Sequence, residues 1–151
     1  MWATLRGVIT LVVVYALAGC GMAQIEAWHG EQRTLIVLSG NELAHLRSGM
    51  RVYLESVQGI IEGLAENKMA RVKDEARKAG VEILGAVPAS TAVTLPVDFL
   101  MLSMDTHQKF DALSAAAAAG ASKSEVLGSL RDILSNCTSC HARYRGSPNR
   151  P

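Results

Sequence analysis

SGNELAHLRSGMRVYLESVQGIIEGL, residues 39–64, decides the fold. Ser39 stands three residues before Glu42, a spacing at which each side chain can cap the other's backbone N–H, so a helix is expected to start here. Behind it, Leu43, Leu46, Met50, Tyr53, Val57, Ile60 and Leu64 recur in steps of three and four. Arg47, Arg51, Glu55 and Glu62 fall elsewhere on the turn. An apolar seam of this period lies on one face of a helix and needs other helices to cover it.

The chain supplies them. After a break at "ENK", Met69, Val72, Ala76, Ala79 and Ile83 repeat the spacing, with Gly80 placed to end or weaken the second helix. "GAVPASTAVTLP", residues 85–96, reads as the longest internal loop, with Pro96 in the first turn of the helix that follows. That third helix is expected from about residue 97 to 119, with Leu100, Met104, His107, Phe110 and Ser114 as its stripe and Gly120 as its stop. Ser122 and Glu125 form a second capping box. The fourth helix carries Leu127, Leu130, Leu134, Cys137, His141 and Tyr144 as its seam, flanked by Ile133 and Cys140. Four amphipathic helices joined mostly by short connections predict an all-α, antiparallel, up-down four-helix bundle over residues 39–146, followed by a tail over 147–151. In such a bundle the start of the first helix and the end of the fourth share one end.

Composition agrees with a helical domain. Aromatic residues make up 5% of the 151, and β-branched runs are few. The net charge of +1 gives no electrostatic footprint for nucleic acid.

Residues 1–20 read differently. Arg6 precedes the apolar run "VITLVVVYALA", which is short for a membrane span, and small residues follow, which is the layout of a secretory signal. Within it "LAGC", residues 17–20, resembles the bacterial lipobox, which implies a lipidated Cys20 that attaches the protein to a membrane. Cleavage after "GMA" at Ala23 is the alternative and would discard Cys20. Either way the expected location is the periplasm. Losing Arg6 takes the net charge from +1 to 0. Residues 21–38 show no sustained period and read as a tether whose short apolar segment packs on the bundle. His29 lies in this stretch and is set aside, because metal ligands are normally held by rigid elements.

The chemistry is concentrated in "NCTSCHARYR", residues 136–145. A thioredoxin-type dithiol expects a βαβ setting that is lacking here. A structural zinc site needs four protein ligands, and no further cysteine remains if Cys20 is an anchor. A disulfide between Cys137 and Cys140 leaves His141 unexplained. C-x-x-C-H is the signature of c-type haem attachment, in which two thiols on one side of a helical turn bond the haem edge and the adjacent histidine reaches the iron. With three cysteines and four histidines in 151 residues, chance would produce the pattern roughly 0.002 times. One covalent haem c, with its iron bound by His141, is the expected cofactor. No substrate-transforming site is visible, so electron transfer to redox partner proteins is the expected activity.

The order C-x-x-C-H-x-x-Y-R, matched by Cys137, Cys140, His141, Tyr144 and Arg145 at the end of a last helix, resembles the cytochrome c-prime family. The resemblance spans about residues 43–145, and only its C-terminal motif is specific. It implies that Arg145 lies beside the proximal imidazole or a haem propionate; a solvated arginine favoured by the helix dipole is the other reading. Tyr144 then closes over the core. The resemblance also implies a distal residue on the first helix, a fold that in relatives often forms homodimers through the first two helices, and a distal face that in some members takes up nitric oxide or carbon monoxide.

The sixth iron position separates these activities. A methionine thioether there favours electron transfer, whereas an apolar, unoccupied face admits a diatomic gas. Met50 lies about nine residues into the first helix, or roughly 13 Å along it, on the core side. It is the leading ligand, and a gap-filling core methionine is its plain alternative. His107 is at similar height on the third helix, and its alternative is a core histidine bonded to a carbonyl or to Asp111. Met101, Met104 and His45 read as packing or surface.

Overall fold

The computed structural model describes residues 32–148. Residues 1–20, expected to be a signal, with Cys20 at their end, and His29 lie outside the described residues. What is described is mostly helical, with one small sheet: β1 (Thr34–Leu38), α1 (Gly40–Ala65), α2 (Met69–Lys78), a 3-10 helix (Val81–Ala86), α3 (Ala89–Ala92), α4 (Val97–Ala118), α5 (Lys123–Arg143) and β2 (Tyr144–Pro148). α1 packs on α2, α2 on α4, and α4 on α5.

Both capping boxes form. Ser39 Oγ accepts from the Glu42 N–H and the Glu42 carboxylate accepts from the Ser39 N–H, and Ser122 and Glu125 do the same. The stops are equally local. Asn67 (φ 59°) and Gly120 (φ 87°) take the left-handed conformation just past α1 and α4. Each stop is closed by a paired motif: Lys68 N–H donates to Gly63 O and Asn67 N–H to Leu64 O, as Ala121 does to Ala116 and Gly120 to Ala117.

α1 and α2 approach closely because Gly59 and Gly63 face α2. A methyl group at Gly63 would stand 2.8 Å from Val72 Cγ2. The main core joins Ile60 and Leu64 of α1, Val72 and Ala76 of α2, Phe110 and Leu113 of α4, and Val126, Leu130 and Ile133 of α5. Phe110 is fully buried at its centre. Phe110→Ala is expected to cost about 3–5 kcal/mol in denaturant-induced unfolding, by lost burial and the cavity left behind.

Four sequence expectations need correction. The second helix does not continue to Ile83: it stops at Lys78, and Val81–Ala86 is a 3-10 turn begun where Val81 N–H donates to Asp111 Oδ2 at 2.9 Å. The loop before α4 contains the short helix α3, and Pro96 caps α4 from outside rather than sitting within its first turn. The end of the supposed tether, Thr34–Leu38, is a strand, paired in parallel with Tyr144–Pro148 in the register Thr34 to Tyr144. Tyr144 and Arg145 therefore leave the helix, which ends at Arg143. Ile36 and Leu38 turn inward onto Leu43 and Phe99, and Leu35 and Val37 turn out, the period of two that a strand imposes. Finally, the seam of α5 is only half covered. Val126, Leu130, Ile133 and Asn136 are its buried residues, while Leu127 and Leu134 are exposed. On α4 the buried line likewise runs through Phe99, His107 and Phe110, leaving Leu100 and Met104 at the surface.

Candidate haem site

At the β-sheet end of the helices α1, α4 and α5 enclose a cavity of about 400 Å³, within the range of cofactor pockets. Met50 reaches it from α1, His107 from α4, Cys137, Cys140 and His141 from α5, and Tyr144 and Arg145 from β2. Every residue singled out in the sequence for haem binding or iron ligation therefore borders one space. Leu43, Leu46, Phe99 and Leu102 give the walls their apolar character.

The position of the C-x-x-C-H turn is fixed on both sides. Asn136, one residue before Cys137, is buried; its Nδ2 donates to Asp105 Oδ2 at 2.6 Å and to Thr106 Oγ1 at 3.2 Å, and its Oδ1 accepts from Lys109 Nζ at 3.0 Å. The Lys109 ammonium and the Asn136 amide hold the Asp105 carboxyl below its ordinary range. Beyond His141, Arg33 reaches back from the start of β1 and donates to the His141 carbonyl at 3.4 Å. Tyr144 packs edge-on against Phe99 with ring centres 5.4 Å apart. One network thus ties the turn to α4, and the sheet ties its end to α1.

Cys137 and Cys140 carry free, half-buried thiols. Burial pushes both up from the ordinary cysteine value, and for Cys140 the neighbouring Cys137 adds to it. Both are reduced, and adding a thiol S–H across a vinyl double bond is redox-neutral, so forming the thioether needs no oxidant. The chain matches no protein-family model, and comparison with curated proteins and with solved structures returns no similar protein. Thiol pair, adjacent imidazole, apolar walls and arginines together fit a haem, whose porphyrin supplies the iron's equatorial ligands and whose propionates suit Arg145 and Arg47.

His107 is fully buried and occupied at both nitrogens. Nδ1 lies 2.8 Å from the Ala79 carbonyl, which only accepts, so Nδ1 carries a proton; in the neutral ring Nε2 then accepts from the Tyr53 hydroxyl at 2.9 Å. The bonding partner is a carbonyl; Asp111 instead holds Val81. Tyr53, which also borders the cavity, was read from the sequence only as seam. Its place one turn beyond Met50, facing a histidine-bearing helix, was the signal for more.

Burial, then the nearby Cys137 and Cys140, push the Tyr53 phenol up to about 12. In the unfolded chain it ionises near 10, so between about 10 and 12 the unfolded state has released a proton that the native state keeps. Native stability is expected to fall with rising pH across that window. Tyr53→Phe should flatten this part of the stability-against-pH curve measured by denaturant unfolding.

Proposed function

We propose that this chain is an exported monohaem c-type cytochrome with a four-helix-bundle fold that carries electrons between redox proteins. Cys137 and Cys140 hold the haem, His141 takes one face of the iron and Met50 the other. The observation that carries this reading is the sharing of one apolar cavity by Met50 and the C-x-x-C-H turn, 87 residues apart in sequence (137 minus 50). The engagement of both His107 nitrogens favours Met50 over His107 as the sixth ligand. The succession of contacts from α1 to α2, α4 and α5 supports the bundle, and with it the resemblance to the cytochrome c-prime family. The signal-like leader and "LAGC" support a periplasmic protein held at a membrane through Cys20.

When bound, the haem supplies the one-electron chemistry. The chain's own residues attach it, hold the backbone that carries His141 through the Asn136 network and the Arg33 bond to the His141 carbonyl, and line the cavity with the apolar side chains of Leu43, Leu46, Phe99 and Leu102. The test is a haem stain of the exported protein on a denaturing gel. A stained band at the protein's mass is expected, and an unstained one overturns the reading.

One observation favours a second reading, a five-coordinate iron that binds nitric oxide or carbon monoxide. Leu43 and Leu46 line the cavity on the α1 side together with Met50, an apolar patch that would hold a small diatomic.

A further inference from the structure

Leu43, Arg47, Met50, Leu54 and Ile61 recur on α1 in steps of three, four and seven, so they lie along one strip of the helix. The first three line the cavity, whereas Leu54 is 69% and Ile61 51% exposed. α5 repeats the arrangement from the other side. Cys137 and His141 line the cavity, and on the same strip Leu134 is 41% and Leu127 53% exposed. Each helix carries its apolar strip out of the cavity and onto the surface. A single exposed leucine needs no explanation, but two strips that run out of one cavity make an apolar surface beside it that no other described element covers.

Arg47 lines the cavity and is exposed, and among the described residues no carboxylate lines it. Arg51, one turn beyond Arg47 and one turn before Leu54, is exposed.

We infer that this surface docks an acidic electron-transfer protein, with Leu54 and Leu134 as the apolar centre and Arg51 and Arg47 meeting the partner's carboxylates. The inference rests on the electron-carrier reading and adds the class of partner. A small apolar centre with a charged rim suits a brief encounter: the charges speed approach and orient it, and the apolar contact excludes water where the electron crosses. A second copy of the chain fits worse, because a twofold contact here sets arginines against arginines.

The haem-loaded, reduced protein is mixed by stopped flow with two oxidised blue-copper proteins of similar potential, one with an acidic and one with a basic docking face. At low salt the acidic probe is expected to react about tenfold faster or more, and high salt should erase the difference. Arg51→Glu should slow the acidic probe by about tenfold and remove most of its salt dependence. Leu54→Ser with Leu134→Ser should slow it several-fold while leaving the salt dependence intact, with thermal unfolding unchanged because both side chains are exposed. Equal rates with the two probes, or variants that react like wild type, overturn the inference. So does sedimentation showing a dimer that the double leucine variant dissociates, which would make the surface a self-contact. Failure of the carrier reading looks different: no covalent haem, or no electron transfer even to ferricyanide, a small oxidant that needs no protein docking, and it overturns both.

Discussion

Replacing Cys137 and Cys140 together by serine is expected to abolish covalent haem staining, with the polypeptide still exported and still helical. A serine hydroxyl does not form the thioether that survives a denaturing gel. No other cysteine among the described residues could substitute, since these two thiols are the ones at the cavity. The substitution is mild for the fold, because both side chains are only half-buried and the core on the far side of Cys137 is built from Ile133, Leu130 and Phe110. Circular dichroism should therefore show helix content near that of the unliganded wild-type chain. Either single serine variant should keep one thioether bond, stain, and shift the absorption maximum of the reduced haem, since one vinyl group stays conjugated. Persistent staining of the double variant would mean that attachment lies elsewhere.

The second large effect belongs to Met50→Ala. With methionine on the iron, the wild-type oxidised protein is low-spin and shows a methionine–iron charge-transfer band; in the alanine variant the band disappears entirely, the potential falls, and carbon monoxide binds the reduced form at once. His107→Gln is the contrasting variant. It should leave the band in place, because His107 already spends Nδ1 on Ala79 and Nε2 on Tyr53. Its cost is in stability, about 1–3 kcal/mol for the buried partners left unsatisfied, read from denaturant unfolding. A wild-type spectrum that is high-spin and unchanged by Met50→Ala would instead favour the gas-binding reading.

The helical plan was legible wherever its cause is local. Ser39 and Glu42, Ser122 and Glu125, and Gly120 act within a few residues of themselves, so their caps and stops could be read directly. β1 could not. "TLIVL" has strand character, but its partner, "YRGSP", is a poor strand former, and pairing puts Tyr144 into the sheet although the helical period ran through it. The α5 seam went astray for a related reason: periodicity marks an apolar strip without saying which part of it another helix covers, and Leu127 and Leu134 lie on the uncovered part. That Met50 and the C-x-x-C-H turn border one cavity was legible because the motif is compact and the apolar period put Met50 on the core side of its helix. The bonds that orient them were not, since Asn136 to Asp105 and Tyr53 to His107 cross between helices.

The parallel strands also bear on time. Thr34 pairs with Tyr144, 110 residues later (144 minus 34), the most distant partnership in the sheet's register along with its four neighbours. Pairing of such high sequence separation is slow, because the intervening chain must be ordered before the contact repays its closure entropy. In the export proposed above, β1 crosses first, while residues 144–148 are still to arrive. The capped helices can assemble from local signals in the meantime, so the two strands are expected to zip last. Until they do, β1 and β2 do not yet fasten the end of α5 to the start of α1, and the Cys137 to His141 turn stays open to the haem attachment proposed above.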